Sequence, residues 1–123
     1  MPLFQAKKLK QVSTQLFLAA GATTDEARIV SDALVNANLA GHDSHGVIRI
    51  PEYVRWMEQK LVTIGAHISV VRESESYAVI DGGWGFGQVI GREAMEVAIQ
   101  KCQRAGVGTV AMNQCCHIGR VGD

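Results

Sequence analysis

Apolar residues recur at helical spacing through the first half of the chain and give way to short β-branched runs in the second. Leu9, Val12, Leu16 and Ala20 stand three and four apart, with Lys7, Lys8, Lys10 and Gln11 among them, which predicts an amphipathic helix with those four facing inward. Gly21 ends it, because glycine takes the left-handed backbone that a helix stop needs. Thr23-Thr24-Asp25-Glu26 reads as a capping box, with two acidic residues in the first turn of the next helix. That helix places Ala27, Val30, Leu34 and Ala37 on one stripe and stops at Gly41. A third helix is expected from Asp43 or Ser44 toward Glu58, kinked or delayed by Pro51.

From His67 the period changes. Residues 68–71 and 77–80 read as strands, and Asp81-Gly82-Gly83 as a turn. A helix is expected over about 86–104, with Val89, Ala94, Val97 and Ala98 inward, ended by Ala105-Gly106. Residues 107–112 read as another strand leading into a loop over 113–122. The pattern predicts a mixed α/β (α+β) fold, with a helical domain over 1–66 and the beginning of an α/β domain over 67–123. The chain stops just after its most polar loop, so a fragment of a longer protein is expected.

The 123 residues are 47% hydrophobic, enough for a core. Twelve basic and twelve acidic residues cancel, which removes the broad positive field that would gather nucleic acid. The apolar runs are too short to span a bilayer, and the start carries no signal-peptide pattern, so a cytoplasmic location is expected. Cys102, Cys115 and Cys116 do not make a disulfide framework and are read as free thiols.

Chemistry concentrates in Gly41-His42-Asp43-Ser44-His45-Gly46-Val47-Ile48-Arg49-Ile50-Pro51. On a helix, His45 and Arg49 would share a face, the guanidinium holding a carboxylate and the imidazole exchanging a proton one turn away. Ser44 could support the same substrate oxygen or cap the helix, and Asp43 could orient a ring or be the cap. The plainer reading makes Asp43 or Ser44 a cap and His45 a solvent-facing residue. A nucleophilic triad is disfavoured, since adjacency does not aim the Ser44 hydroxyl at the His45 ring. A metal site could draw on His42, His45, Asp43, Cys115, Cys116 and His117, but the ligand spacing is poor.

Gly85, Gly87 and Gly91 after a strand imitate a dinucleotide fingerprint. Trp84 and Phe86 put rings where a pyrophosphate needs bare backbone, and the following strand ends Met112-Asn113, without the acidic residue that would hold a ribose. Tight packing with the aromatics in a domain seam is the preferred reading. His117 follows a strand, where α/β proteins place working residues, although a loop histidine would read the same way.

The segment Ala40-Gly41-His42-Asp43-Ser44-His45-Gly46-Val47-Ile48-Arg49-Ile50-Pro51-Glu52-Tyr53 resembles the N-terminal motif of the malate/L-lactate dehydrogenase family of the second type. Phe86-Gly87-Gln88-Val89 with Ala94-Met95 resembles its next block, and residues 113–122 its Asn-Ser-x-His-x-Gly block. Here Gln114-Cys115-Cys116 replaces the serine-containing lead-in, and Asp123 stands where an aromatic is common. The resemblance implies a non-Rossmann nicotinamide-binding fold beside a helical domain, a homodimer, and hydride transfer between NAD or NADP and a 2-hydroxy or 2-keto acid. By the same resemblance His45 is the proton donor and acceptor, Ser44 supports the substrate oxygen, Arg49 binds the substrate carboxylate and His117 is a second catalytic histidine. No metal is implied, and the truncated chain is expected to be inactive alone. The alternative is a small non-catalytic binding or metal-holding module, complete at 123 residues.

Overall fold

The structure is a computed structural model that describes residues 3–120. The expected loop end at Gly122 and the replacement at Asp123 lie outside the described residues. The elements are α1 (Ala6–Ala19), α2 (Thr24–Leu39), two short 3-10 turns (Asp43–His45 and Val47–Arg49), α3 (Ile50–Glu58), β1 (Ser69–Glu73), β2 (Tyr77–Gly85), α4 (Gly87–Ala105) and β3 (Thr109–Cys115).

α2 follows its sequence. The Glu26 N–H donates to Thr23 Oγ1 at 3.2 Å and the Thr23 N–H donates to Glu26 Oε2 at 2.9 Å, completing the capping box. Ala27, Val30, Leu34 and Ala37 are all buried. The second oxygen of Glu26 accepts the Gly65 N–H at 2.7 Å, tying the start of α2 to the connection into the sheet. Gly21 and Gly41 have positive φ, and each helix before them closes with the paired bonds of a Schellman stop. Lys60 does the same work after α3 with φ +57.

α1 turns a different stripe inward from the one expected. Ser13 and Phe17 are buried, whereas Val12 and Leu16 are 44% and 47% exposed. The Phe17 ring lies 6.3 Å from that of Tyr53 and 6.2 Å from that of Phe86, and a buried aromatic outweighs a leucine in apolar area. Ser13 joins the buried row without stranding its hydroxyl, which donates to the Leu9 carbonyl at 2.8 Å.

The third helix starts late, at Ile50, with Pro51 in its first turn, where a missing N–H costs nothing. Two separate 3-10 turns replace the expected helical stretch before it. β2 is central in a three-stranded sheet, antiparallel to β1 and parallel to β3, with α4 as the crossover between the parallel pair. The expected turn at 81–83 is an irregularity inside β2. Gly83 and Trp84 take positive φ, Asp81 Oδ1 accepts the Gly83 N–H at 2.7 Å, and pairing with β3 resumes at Gly85 opposite Cys115. β3 therefore runs to Cys115, three residues further than expected.

Two apolar clusters form. One gathers Phe17, Ala27, Val30, Leu34, Tyr53 and Met57 with Phe86 and Val89 from the start of α4, and the other gathers Ala78, Ile80 and Ala94 with Val110 and Met112. Val97 packs on the second cluster as a half-buried residue. Among the described residues no helix is long and apolar enough to cross a membrane.

Candidate active site

His45 and Arg49 do not share a helix, contrary to the expected i, i+4 geometry. Each ends its own 3-10 turn, with Gly46 between them in an extended conformation. Gly46 is buried under Asn38, and a Cβ there would collide with the Asn38 amide, which explains why the chain uses glycine at this break. Asn38 braces the segment: its Oδ1 accepts the Val47 N–H at 2.9 Å and its Nδ2 donates to Asp43 Oδ1 at 2.6 Å. Asp43 is thus engaged by an amide, and neither it nor Ser44 caps a helix as expected.

The arginine returns to the histidine by another route. Arg49 Nε donates to the Ser44 carbonyl at 2.7 Å, and Nη1 donates to Glu52 Oε2 at 2.7 Å. These bonds hold the guanidinium between Ser44 and Glu52 through Nε and Nη1. The Ser44 hydroxyl does reach the His45 ring, at 3.0 Å from Nδ1, correcting the expectation that adjacency keeps them apart. The surroundings are still a 3-10 turn, not a strand-turn-helix elbow.

His117 lies two residues past the end of β3, and its ring stacks on His45 with centroids 5.3 Å apart and planes 28° apart. Its Nδ1 lies 2.8 Å from the Tyr53 hydroxyl oxygen, and that oxygen accepts a hydrogen bond from Gln88 Nε2 at 2.8 Å. Tyr53 and Gln88 are buried. Burial lowers the His117 pKa below 6.5, helped by the positive charge of Arg49 and by His45, with Glu52 opposing. Burial raises the Tyr53 pKa above 10, so the phenol keeps its proton. Four residues separated by up to 73 positions thus meet: Ser44, His45, Arg49 and His117.

Asn38, Glu52, Tyr53 and Gln88 were not among the expected site residues. Gln88 carried one signal, a polar side chain inside the apolar run that opens α4. The metal-ligand group weighed as an alternative does not assemble: among the described residues no three His, Cys, Asp or Glu side chains converge. Cys116 instead points its thiol at the carbonyls of Leu61 and Trp84, and burial raises its pKa.

Beside His117 lies a cavity of about 490 Å³ lined by Trp56, Lys60, Leu61, Thr63, Trp84 and Cys116. The glycine-rich stretch is closed. A Cβ at Gly87 would strike the Cys116 and His117 carbonyls, and one at Gly85 would press on Ala66 and Ile90. These glycines serve close backbone packing, not an open phosphate cradle.

The chain and its fold are similar to those of known proteins. Hydroxycarboxylate dehydrogenase B from Escherichia coli is 41% identical over 119 residues, covering 97% of this chain and 33% of that protein. The structure of malate dehydrogenase from Pyrococcus horikoshii superposes with a TM-score of 0.89 at 38% identity, over 93% of this chain and 33% of that one. Sulfolactate dehydrogenase from Methanocaldococcus jannaschii gives a TM-score of 0.90 at 36% identity, over 96% and 34%. The chain therefore spans about one third of the length of the relatives it matches. A family profile described as malate/L-lactate dehydrogenase matches residues 4–123, and the chain belongs to that family.

Proposed function

We propose that this chain forms the proton-handling and carboxylate-binding part of an oxidoreductase that interconverts 2-hydroxy and 2-keto acids, such as malate or lactate, with NAD or NADP. One observation carries the reading: two imidazoles stacked at 5.3 Å beside a guanidinium folded back onto Ser44. Arg49 binds the substrate carboxylate through its outer N–H groups, with Glu52 fixing the plane of the fork. Reduction of the keto group builds negative charge on its oxygen, and His45 gives that oxygen a proton; in oxidation His45 takes it back. Ser44 supports the His45 ring through Nδ1.

The described residues fit the ring end of a nicotinamide cofactor and not its phosphate end. Trp56, Leu61 and Trp84 would hold a flat ring in the cavity beside His117, while the closed glycines leave no room for a pyrophosphate. When bound, the nicotinamide supplies or takes the hydride. We therefore expect the 123-residue chain alone to be inactive, and the homodimer implied by the resemblance belongs to the same proposal.

The test is a chimera in which residues 4–123 replace the matching third of the E. coli hydroxycarboxylate dehydrogenase B. Oxidation of a 2-hydroxy acid with NAD or NADP is the expected outcome. A folded chimera that binds the cofactor yet turns over no such acid would overturn the reading.

A further inference from the structure

We propose that Gln88, acting through Tyr53, fixes the single proton of neutral His117 on Nε2, so that His117 offers the site a directed N–H donor while His45 carries the exchanging proton. The Tyr53 hydroxyl has one proton and accepts from Gln88 Nε2 at 2.8 Å, a group that can only donate. Its proton is then free to go to His117 Nδ1, 2.8 Å away. A ring nitrogen that accepts carries no hydrogen, so the neutral ring is protonated on the other nitrogen.

The amide sets the direction. Gln88 and Tyr53 are 2% and 1% exposed, and among the described residues Gln88 Oε1 has no hydrogen-bond partner. Turning the amide over would leave both of its buried N–H protons without an acceptor, where now one is bonded to Tyr53, and orphaned donors are rarer than under-satisfied carbonyls in folded proteins. Gly119, at φ +63, leaves the amide its space, since a Cβ there would come within 3.3 Å of Gln88 Nε2. The charged and titratable groups facing His117 are Arg49 and His45, which disfavour the imidazolium, and Glu52, which favours it; the neighbouring Cys116 is a neutral thiol. His45 has no such brace. Its Nδ1 faces the Ser44 hydroxyl, which donates or accepts as needed, so that ring exchanges a proton without breaking a buried chain. Gln88 and Tyr53 are positioning residues. The catalytic meaning rests on the function proposed above; the tautomer does not.

The experiment is long-range ¹H–¹⁵N NMR of the imidazoles in the ¹⁵N-labelled 123-residue chain near neutral pH. The expected result is an unprotonated Nδ1 and a protonated Nε2 on His117; a protonated Nδ1 overturns the proposal with no substitution needed. Gln88→Glu, once ionised, replaces the donor by a group that only accepts, and the spectra are recorded at a pH where that carboxyl has titrated. Tyr53 should then turn its proton toward residue 88 and accept from His117, exchanging the two nitrogen signals and raising the ring's titration midpoint by about one pH unit. Adding Tyr53→Phe to Gln88→Glu should abolish that exchange, and its persistence would overturn the relay. The reading uses no substrate, so a chain with the expected tautomer whose chimera lacks turnover would sink the dehydrogenase reading alone.

Discussion

The two stacked histidines sit on supports of opposite kind. His45 rides on a short 3-10 turn, next to an exposed hydroxyl, on a segment braced by Asn38. His117 follows a strand and leans on a buried phenol and a buried amide. Identical rings 5.3 Å apart therefore meet different demands: one can change protonation against adaptable neighbours, the other is held to one hydrogen-bond direction. A site that moves a proton while fixing a carbonyl uses both properties.

That contrast makes His45→Ala the most damaging change. In the chimera it should lower kcat by about 10²–10⁴-fold, the usual loss for a proton-transferring group, measured at saturating substrate. Arg49→Lys keeps the charge and loses the fork, and should raise KM about 10–100-fold with a smaller effect on kcat. Tyr53→Phe should cost about 1–3 kcal/mol in urea denaturation of the 123-residue chain, because it leaves the buried Gln88 N–H without an acceptor. Asn38→Ala removes the brace of the other histidine and should cost about 1 kcal/mol by the same measurement, the Val47 N–H being only partly buried.

The smallest effect is on pH dependence, and its sign separates buried from exposed imidazoles. His117 has a lowered folded pKa, so the native state resists its protonation and stability falls as pH drops below 6.5 toward that lower value. His67 is exposed and bonded to Glu93, which raises its folded pKa; its contribution is present below 6.5 and is lost as pH rises through the raised value. His117→Gln should therefore flatten the fall in stability below pH 6.5, and His67→Gln should remove the fall that sets in above pH 6.5. The same slope in both variants would contradict the contrast.

How much of this could be read in the sequence depends on the range of the interactions. α2 was legible because its cap and its stripe are local: Thr23 and Glu26 lie three apart, and each buried position repeats within one turn. The stripe read for α1 was not the buried one, because the inward face is set by Tyr53 and Phe86, which meet Phe17 only in three dimensions. The glycines at 82 and 83 mark a real irregularity, but its place inside a strand depends on pairing with β3. Ser44, His45, Arg49 and His117 were singled out by chemistry and position and given roles by resemblance, and the helix assumed to join His45 with Arg49 was wrong because Gly46 under Asn38 splits the turn. The Tyr53 bonds cross 35 and 64 positions, and such partners leave no period along the chain.

Gly87 carries a mechanical consequence. With only a hydrogen atom between its α-carbon and the carbonyls of Cys116 and His117, the loop that holds the second imidazole is seated on the first turn of α4. The backbone beneath that ring therefore has no room to move toward this nineteen-residue helix. A methyl group at position 87 would have to lift that loop off the helix, so the place of the second imidazole depends on a side chain that the sequence leaves out.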